Sequence, residues 1–126
     1  MAINNPYSKY TTNAINSATP EELTLMLFNG ALKFCNQAMA AYEANDYMKF
    51  NKLIQRVEDI IREFQITLNR KYEISEQLDT MYNYIYQILL KSNINKDAEL
   101  LKEATDLIRT MRDTWKEAMK LAKQSQ

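Results

Sequence analysis

An all-α fold, an antiparallel four-helix bundle with an extended N-terminal arm, is predicted by three features of the sequence. Of 126 residues, one is Gly and two are Pro, which leaves few turns. Apolar residues recur at spacings of three and four through four successive segments. Short connections between those segments set neighbouring helices side by side and antiparallel. A chain of this length buries one core, so the organisation reads as an arm over residues 1–18, a bundle over 19–123 and a polar tail at 124–126.

The arm, MAINNPYSKYTTNAINSA, is rich in Asn, Ser and Thr and carries Pro6, with no long helical period. Ile3, Tyr7, Tyr10 and Ile15 nevertheless give it apolar side chains with which to dock. The first helix starts at Thr19. With Thr19 as N-cap, Pro20 takes the first helical position and Glu22 the third, the pattern of a capping box. Glu21 and Glu22 also face the positive end of the helix dipole. Capping accounts for these two carboxylates better than an acid/base pair does.

The first helix runs to about Tyr42. At 100° per residue, Leu23, Leu27, Ala31, Phe34 and Ala38 form one stripe. Leu25, Phe28, Leu32, Cys35, Met39 and Tyr42 form a second beside it. The two cover an arc of roughly 200°, about twice that of a helix with one buried face. Gly30 lies inside this helix and weakens it by about 1 kcal/mol against Ala, so a close backbone approach is expected there.

The second helix, capped by Asp46 and running to about Asn69, buries Phe50, Ile54, Val57, Ile61, Phe64 and Leu68 on a single face. The third, from near Ser75 to about Ser92, carries a core stripe of Ile74, Leu78, Met81, Ile85 and Ile88. Tyr82, Tyr86, Leu89 and Leu90 widen that stripe, so this helix too is apolar on two sides. The fourth follows NINKD to about Lys123, with Leu101, Ala104, Ile108, Met111, Trp115, Ala118 and Ala122 in step.

Several function classes are disfavoured. Lys+Arg and Asp+Glu are both 16, and a formal net charge of zero argues against a general grip on nucleic acid or anionic membrane. With no secretory signal and no bilayer-length apolar run, the chain is expected to be soluble and cytoplasmic, without membrane insertion. Cys35 has no partner for an intramolecular disulfide and reads as a small core filler. No His is present, which removes His-based nucleophile activation and the Glu-x-x-His pairs of di-iron bundles. Glu58, Asp59, Glu63 and Asp79 are placed on polar helix faces, a poor arrangement for a cation. No catalytic residue, cofactor or metal ligand is expected, and the chain reads as a non-enzyme.

What remains is a binding protein. Leu25, Phe28 and Leu32 on the first helix, with Tyr82 and Tyr86 on the third, are expected to face outward to a partner. Eight Tyr and seven Met supply contact surface that tolerates water and adapts its shape. On this reading Phe28→Glu spares folding and weakens binding. The alternative is a structural bundle whose surplus stripes form a constitutive homodimer.

The stretches NPYSKYTTNAINSATPEELTLMLFNGA, LDTMYNYIYQILLKSNINKD and MRDTWKEA resemble the flagellin-specific export chaperones of bacterial flagella, the FliS family, over nearly the whole chain. One departure is LNRKYEISEQL, which has no Gly where many relatives carry an acidic, Gly-containing link. The resemblance implies a cytoplasmic bundle, a monomer or weak dimer, that holds newly made flagellin, keeps it from polymerising and presents it to the export gate. The client it implies is the C-terminal segment of flagellin, disordered when free. It also implies that the arm, anchored by Tyr7, Tyr10 and Ile15, covers an apolar groove until the client displaces it. Deleting the arm through Tyr10 is therefore expected to raise the apparent affinity for flagellin in calorimetry, and a fall would show that the arm contributes contacts instead.

Overall fold

The computed structural model describes residues 17–124, which hold four helices and no strand: α1 (Pro20–Glu43), α2 (Tyr47–Thr67), α3 (Ser75–Asn95) and α4 (Ala98–Gln124). Each helix packs on its sequence neighbour, and α4 closes the ring against α1. The pairings Phe28–Phe64 and Tyr42–Phe50, Asn51–Asn93 and Gln65–Asp79, and Asn29–Arg112 and Glu21–Trp115 fix α1/α2, α2/α3 and α1/α4 as antiparallel. The expected antiparallel four-helix bundle is present.

Local chemistry sets the helix boundaries. Glu22 N–H donates to Thr19 Oγ1 at 3.1 Å and Thr19 N–H donates to Glu22 Oε1 at 2.9 Å, completing the capping box. At the other end of α1, Asn45 N–H reaches Tyr42 O and Asp46 N–H reaches Ala41 O, the paired bonds of a Schellman turn. Asn45 takes the left-handed position with φ 60°, where Gly is the usual choice. Asp46 then caps α2 by accepting from Lys49 N–H.

The α3–α4 connection repeats this design. Lys96 is left-handed with φ 51°, Asp97 N–H donates to Ser92 O, and Asp97 Oδ1 accepts from Glu99 and Leu100. The buried Ser92 hydroxyl donates to Asp97 O at 2.7 Å, tying the two helix ends together. An αL residue followed by an Asp cap is how a chain with one glycine makes two tight turns at the same end of the bundle.

The core runs through Ala31, Cys35 and Ala38 of α1, Phe50, Ile54, Val57 and Ile61 of α2, Ile85 and Leu89 of α3, and Leu101, Ala104 and Ile108 of α4. In α4 the expected stripe is buried only as far as Ile108. Met111 and Trp115 are half-buried, and Ala118 and Ala122 are exposed. The reason is length. Trp115 Nε1–H donates to Glu21 O, level with the first turn of α1, and the nine residues that follow carry α4 about 13 Å further.

Gly30 does not mark a close backbone approach. A Cβ at this position meets the Ile60 Cδ1 atom at 3.9 Å, an ordinary contact, and the glycine has no positive φ. Helix propensity alone therefore decides the effect of adding a methyl group. Gly30→Ala is expected to stabilise the protein by about 1 kcal/mol in urea titration, and a loss of stability would show that some other group needs the space.

Candidate functional site

Packing of α1 begins from its alanines. Ala31 and Ala38 are fully buried, with Cys35 on the same line, and these small side chains bring α1 closest to its neighbours. That line fixes the rotation of the helix. Phe28 and Leu32 flank it and lie inside, 3% and 6% exposed. The Phe28 ring sits 4.5 Å from Phe64, whose ring lies 5.5 Å from Tyr82, itself 7% exposed.

The outward-facing expectation is thus corrected for three residues. Phe28, Leu32 and Tyr82 are core: the Phe28–Phe64–Tyr82 stack across α1, α2 and α3 removes the two rings from water, and Leu32, one turn along α1 from Phe28, is buried on the same side. Phe28→Glu, expected to spare folding, would place an unpaired charge in that stack and is now expected to unfold the bundle. Leu25 and Tyr86 are half-buried at the margins. The outer face of Tyr86 is engaged by the Arg62 guanidinium, 3.6 Å from the ring centroid. Tyr7, Tyr10 and Ile15 lie outside the described residues.

The surplus apolar surface of α1 therefore lies on its two margins. Towards α2, Leu23, Leu27 and Phe34 are half-exposed, with Ile60 half-exposed across the seam and the Arg56 guanidinium 5.5 Å from the Phe34 ring. Towards α4, Leu25 is half-exposed, while Met26, exposed, stands one turn from Gly30, which meets Ile60 of α2. Leu25 stands one turn from Glu21, whose carbonyl holds Trp115, and Met111 and Met119 are half-exposed along the same helix as that indole. Arg112 Nη1–H donates to Asn29 Oδ1 at 2.9 Å and pins α4 to α1 beside this margin. Met26, which falls in neither of the two stripes read from periodicity, is the exposed apolar residue that reasoning missed here. The signal was the run of buried alanines, which points to the inner face more sharply than the large side chains do.

A second apolar group stands at the α2–α3 turn, where Ile66, Tyr72 and Ile74 are 78%, 66% and 57% exposed. An open cleft of about 450 Å³ beside it is lined by Arg62, Gln65, Ile66, Leu68, Arg70 and Asp79. Its polar groups bond to one another: Arg62 to Gln65, Gln65 to Asp79, and Arg70 to Asp79 at 3.2 Å. No reactive group is left poised in it. Burial pushes the Cys35 thiol up to about 11, far from a nucleophile's range.

A family model described as Flagellar protein FliS matches residues 3–122. The chain is 44% identical over 119 residues to the flagellar secretion chaperone FliS of Bacillus subtilis, covering 94% of this chain and 90% of that one. It is 28% identical over 111 residues to the flagellar secretion chaperone FliS of Escherichia coli, covering 85% and 81%. A similar protein of the same description from Salmonella typhimurium is 27% identical over 108 residues, covering 83% and 80%.

Core and margin separate in a stability measurement. Phe28→Ala is expected to cost about 3–5 kcal/mol in urea titration, whereas Leu25→Ala, at a half-exposed margin, is expected to cost about 1 kcal/mol. Equal losses would show that the two residues share one environment.

Proposed function

The chain belongs to the Flagellar protein FliS family, and from that premise we propose that it binds the C-terminal segment of flagellin, prevents its premature polymerisation and hands it to the flagellar export gate. It is a flagellar secretion chaperone and not an enzyme. The reading places the protein in the cytoplasm, acting without cofactor or nucleotide. Among the described residues, no helix is long and apolar enough to cross a membrane.

The observation that carries the proposal is the apolar margin of α1 left over once the core is filled. Leu25, with Trp115 and Met111 of α4, offers apolar surface that an amphipathic segment can cover by the helix-in-groove mode. Ordering a disordered client costs conformational entropy, so affinity has to come from a wide contact area. Exchange at the gate is then competition for the same apolar client surface.

Mixing the protein with flagellin and with flagellin lacking its C-terminal segment tests this. Calorimetry is expected to detect binding to the first and none to the second, and Leu25→Glu is expected to weaken the first at least tenfold while the helical circular dichroism is unchanged. Equal binding to both flagellins would contradict the client assignment.

A further inference from the structure

The seam between α2 and α3 is polar at regular intervals. Asn93 Nδ2–H donates to Asn51 Oδ1 at 2.6 Å, and Gln65 Nε2–H donates to Asp79 Oδ1 at 3.3 Å. Between these two cross-links, the midpoint of α2 is Glu58 and the midpoint of α3 is Tyr86, each seven residues from either rung. Two helical turns return a residue to nearly the same face, so the antiparallel register sets Glu58 level with Tyr86.

This middle rung is unmade. Glu58, expected on a polar face, is 8% exposed, and its Oε2 atom has no hydrogen-bond partner. An ionised carboxylate only accepts, and the nearby cation is turned elsewhere: Arg62 lies over the Tyr86 ring and donates to Gln65 Oε1. The titratable and charged groups on this seam are Asp59 and Arg62 of α2 and Tyr82, Tyr86 and Asp79 of α3, with Lys96 held at the far rung by Asn93. α1 meets α2 along the Ile60 and Arg56 edge, and among the described residues the charges that act on Glu58 are those of Asp59 and Arg62. Burial foremost, then Asp59, holds the Glu58 carboxyl above the usual carboxylate range, with Arg62 opposing.

We propose that the α2–α3 seam is a proton-operated latch, in which protonation of Glu58 removes a buried, unpartnered charge from the middle rung and supplies a donor there, and ionisation restores the charge and loosens the rung. The folded protein then holds this proton more tightly than the unfolded chain does. The latch's stabilisation is complete while Glu58 is protonated and is lost as pH rises from the ordinary glutamate range through the raised folded value. The edge of α3 thus separates from α2 more readily at neutral than at mildly acidic pH.

Thermal unfolding of the full chain between pH 5 and pH 8, for wild type and Glu58→Gln, tests the latch, together with carbon NMR titration of the Glu58 carboxyl in the wild type. Glutamine keeps a donor at every pH. Glu58→Gln is expected to melt a few degrees above wild type at pH 8, the gap closing towards pH 5, and the Glu58 carboxyl is expected to titrate above the ordinary range. A gap that is absent or independent of pH would overturn the proposal. Should Glu58→Gln fail to fold, the carboxyl titration decides alone, and an ordinary value overturns it.

Discussion

Three aromatic rings, Phe28 of α1, Phe64 of α2 and Tyr82 of α3, touch in series across the bundle, at centroid separations of 4.5 and 5.5 Å. Rings at these distances bury large areas and interlock, so the three helices cannot rotate independently. On the fourth side Leu101, Ala104 and Ile108 of α4 close the core, and buried Ala31, Cys35 and Ala38 let α1 come close enough to seal it. With the rotation of α1 fixed in this way, the identity of its leftover surface follows: Leu23, Leu27 and Phe34 on the margin towards α2, Leu25 on the margin towards α4, and Met26 exposed outside them. That leftover surface is a by-product of the core's geometry.

The two kinds of seam in the bundle divide labour. Where α1 meets α2 the contact is largely apolar, with Phe28 on Phe64, Tyr42 on Phe50 and Gly30 beside Ile60. Where α2 meets α3, the Phe64–Tyr82 contact is flanked along the outer edge by Asn51, Arg62 and Gln65 facing Asn93, Tyr86 and Asp79. Hydrogen bonds exchanged for water contribute about 0.5–1.5 kcal/mol each, less than a buried aromatic side chain, so the outer edge of the second seam loosens more easily than its aromatic centre.

Boundaries were more legible than faces. Thr19 with Glu22, Asp46 and Asp97 are each local signals, because a cap depends on residues within one turn, and the structure makes every one of those hydrogen bonds. Four helices and their antiparallel order were likewise readable from periodicity and loop length. The inner face of α1 was not. Two adjacent stripes of similar apolarity compete there, and the choice between them rests on neighbours far away in sequence, Phe64 and Tyr82 above all. Glu58 was misread for a related reason: its charge suggested solvent, while its position opposite Tyr86 carries it under α3. Gly30 invited a tertiary explanation that Ile60 Cδ1 at 3.9 Å does not support.

The central claim is that the aromatic stack belongs to the folded core while the margins of α1 meet the client. Methyl NMR of the protein titrated with the C-terminal segment of flagellin addresses it most directly. The account predicts large shifts at the methyl groups of Leu23, Leu25 and Met26, with those of Ala31, Ile54, Leu89 and Ile108 nearly unmoved. Shifts concentrated in Ala31, Ile54 and Leu89, with Leu25 and Met26 silent, would contradict it.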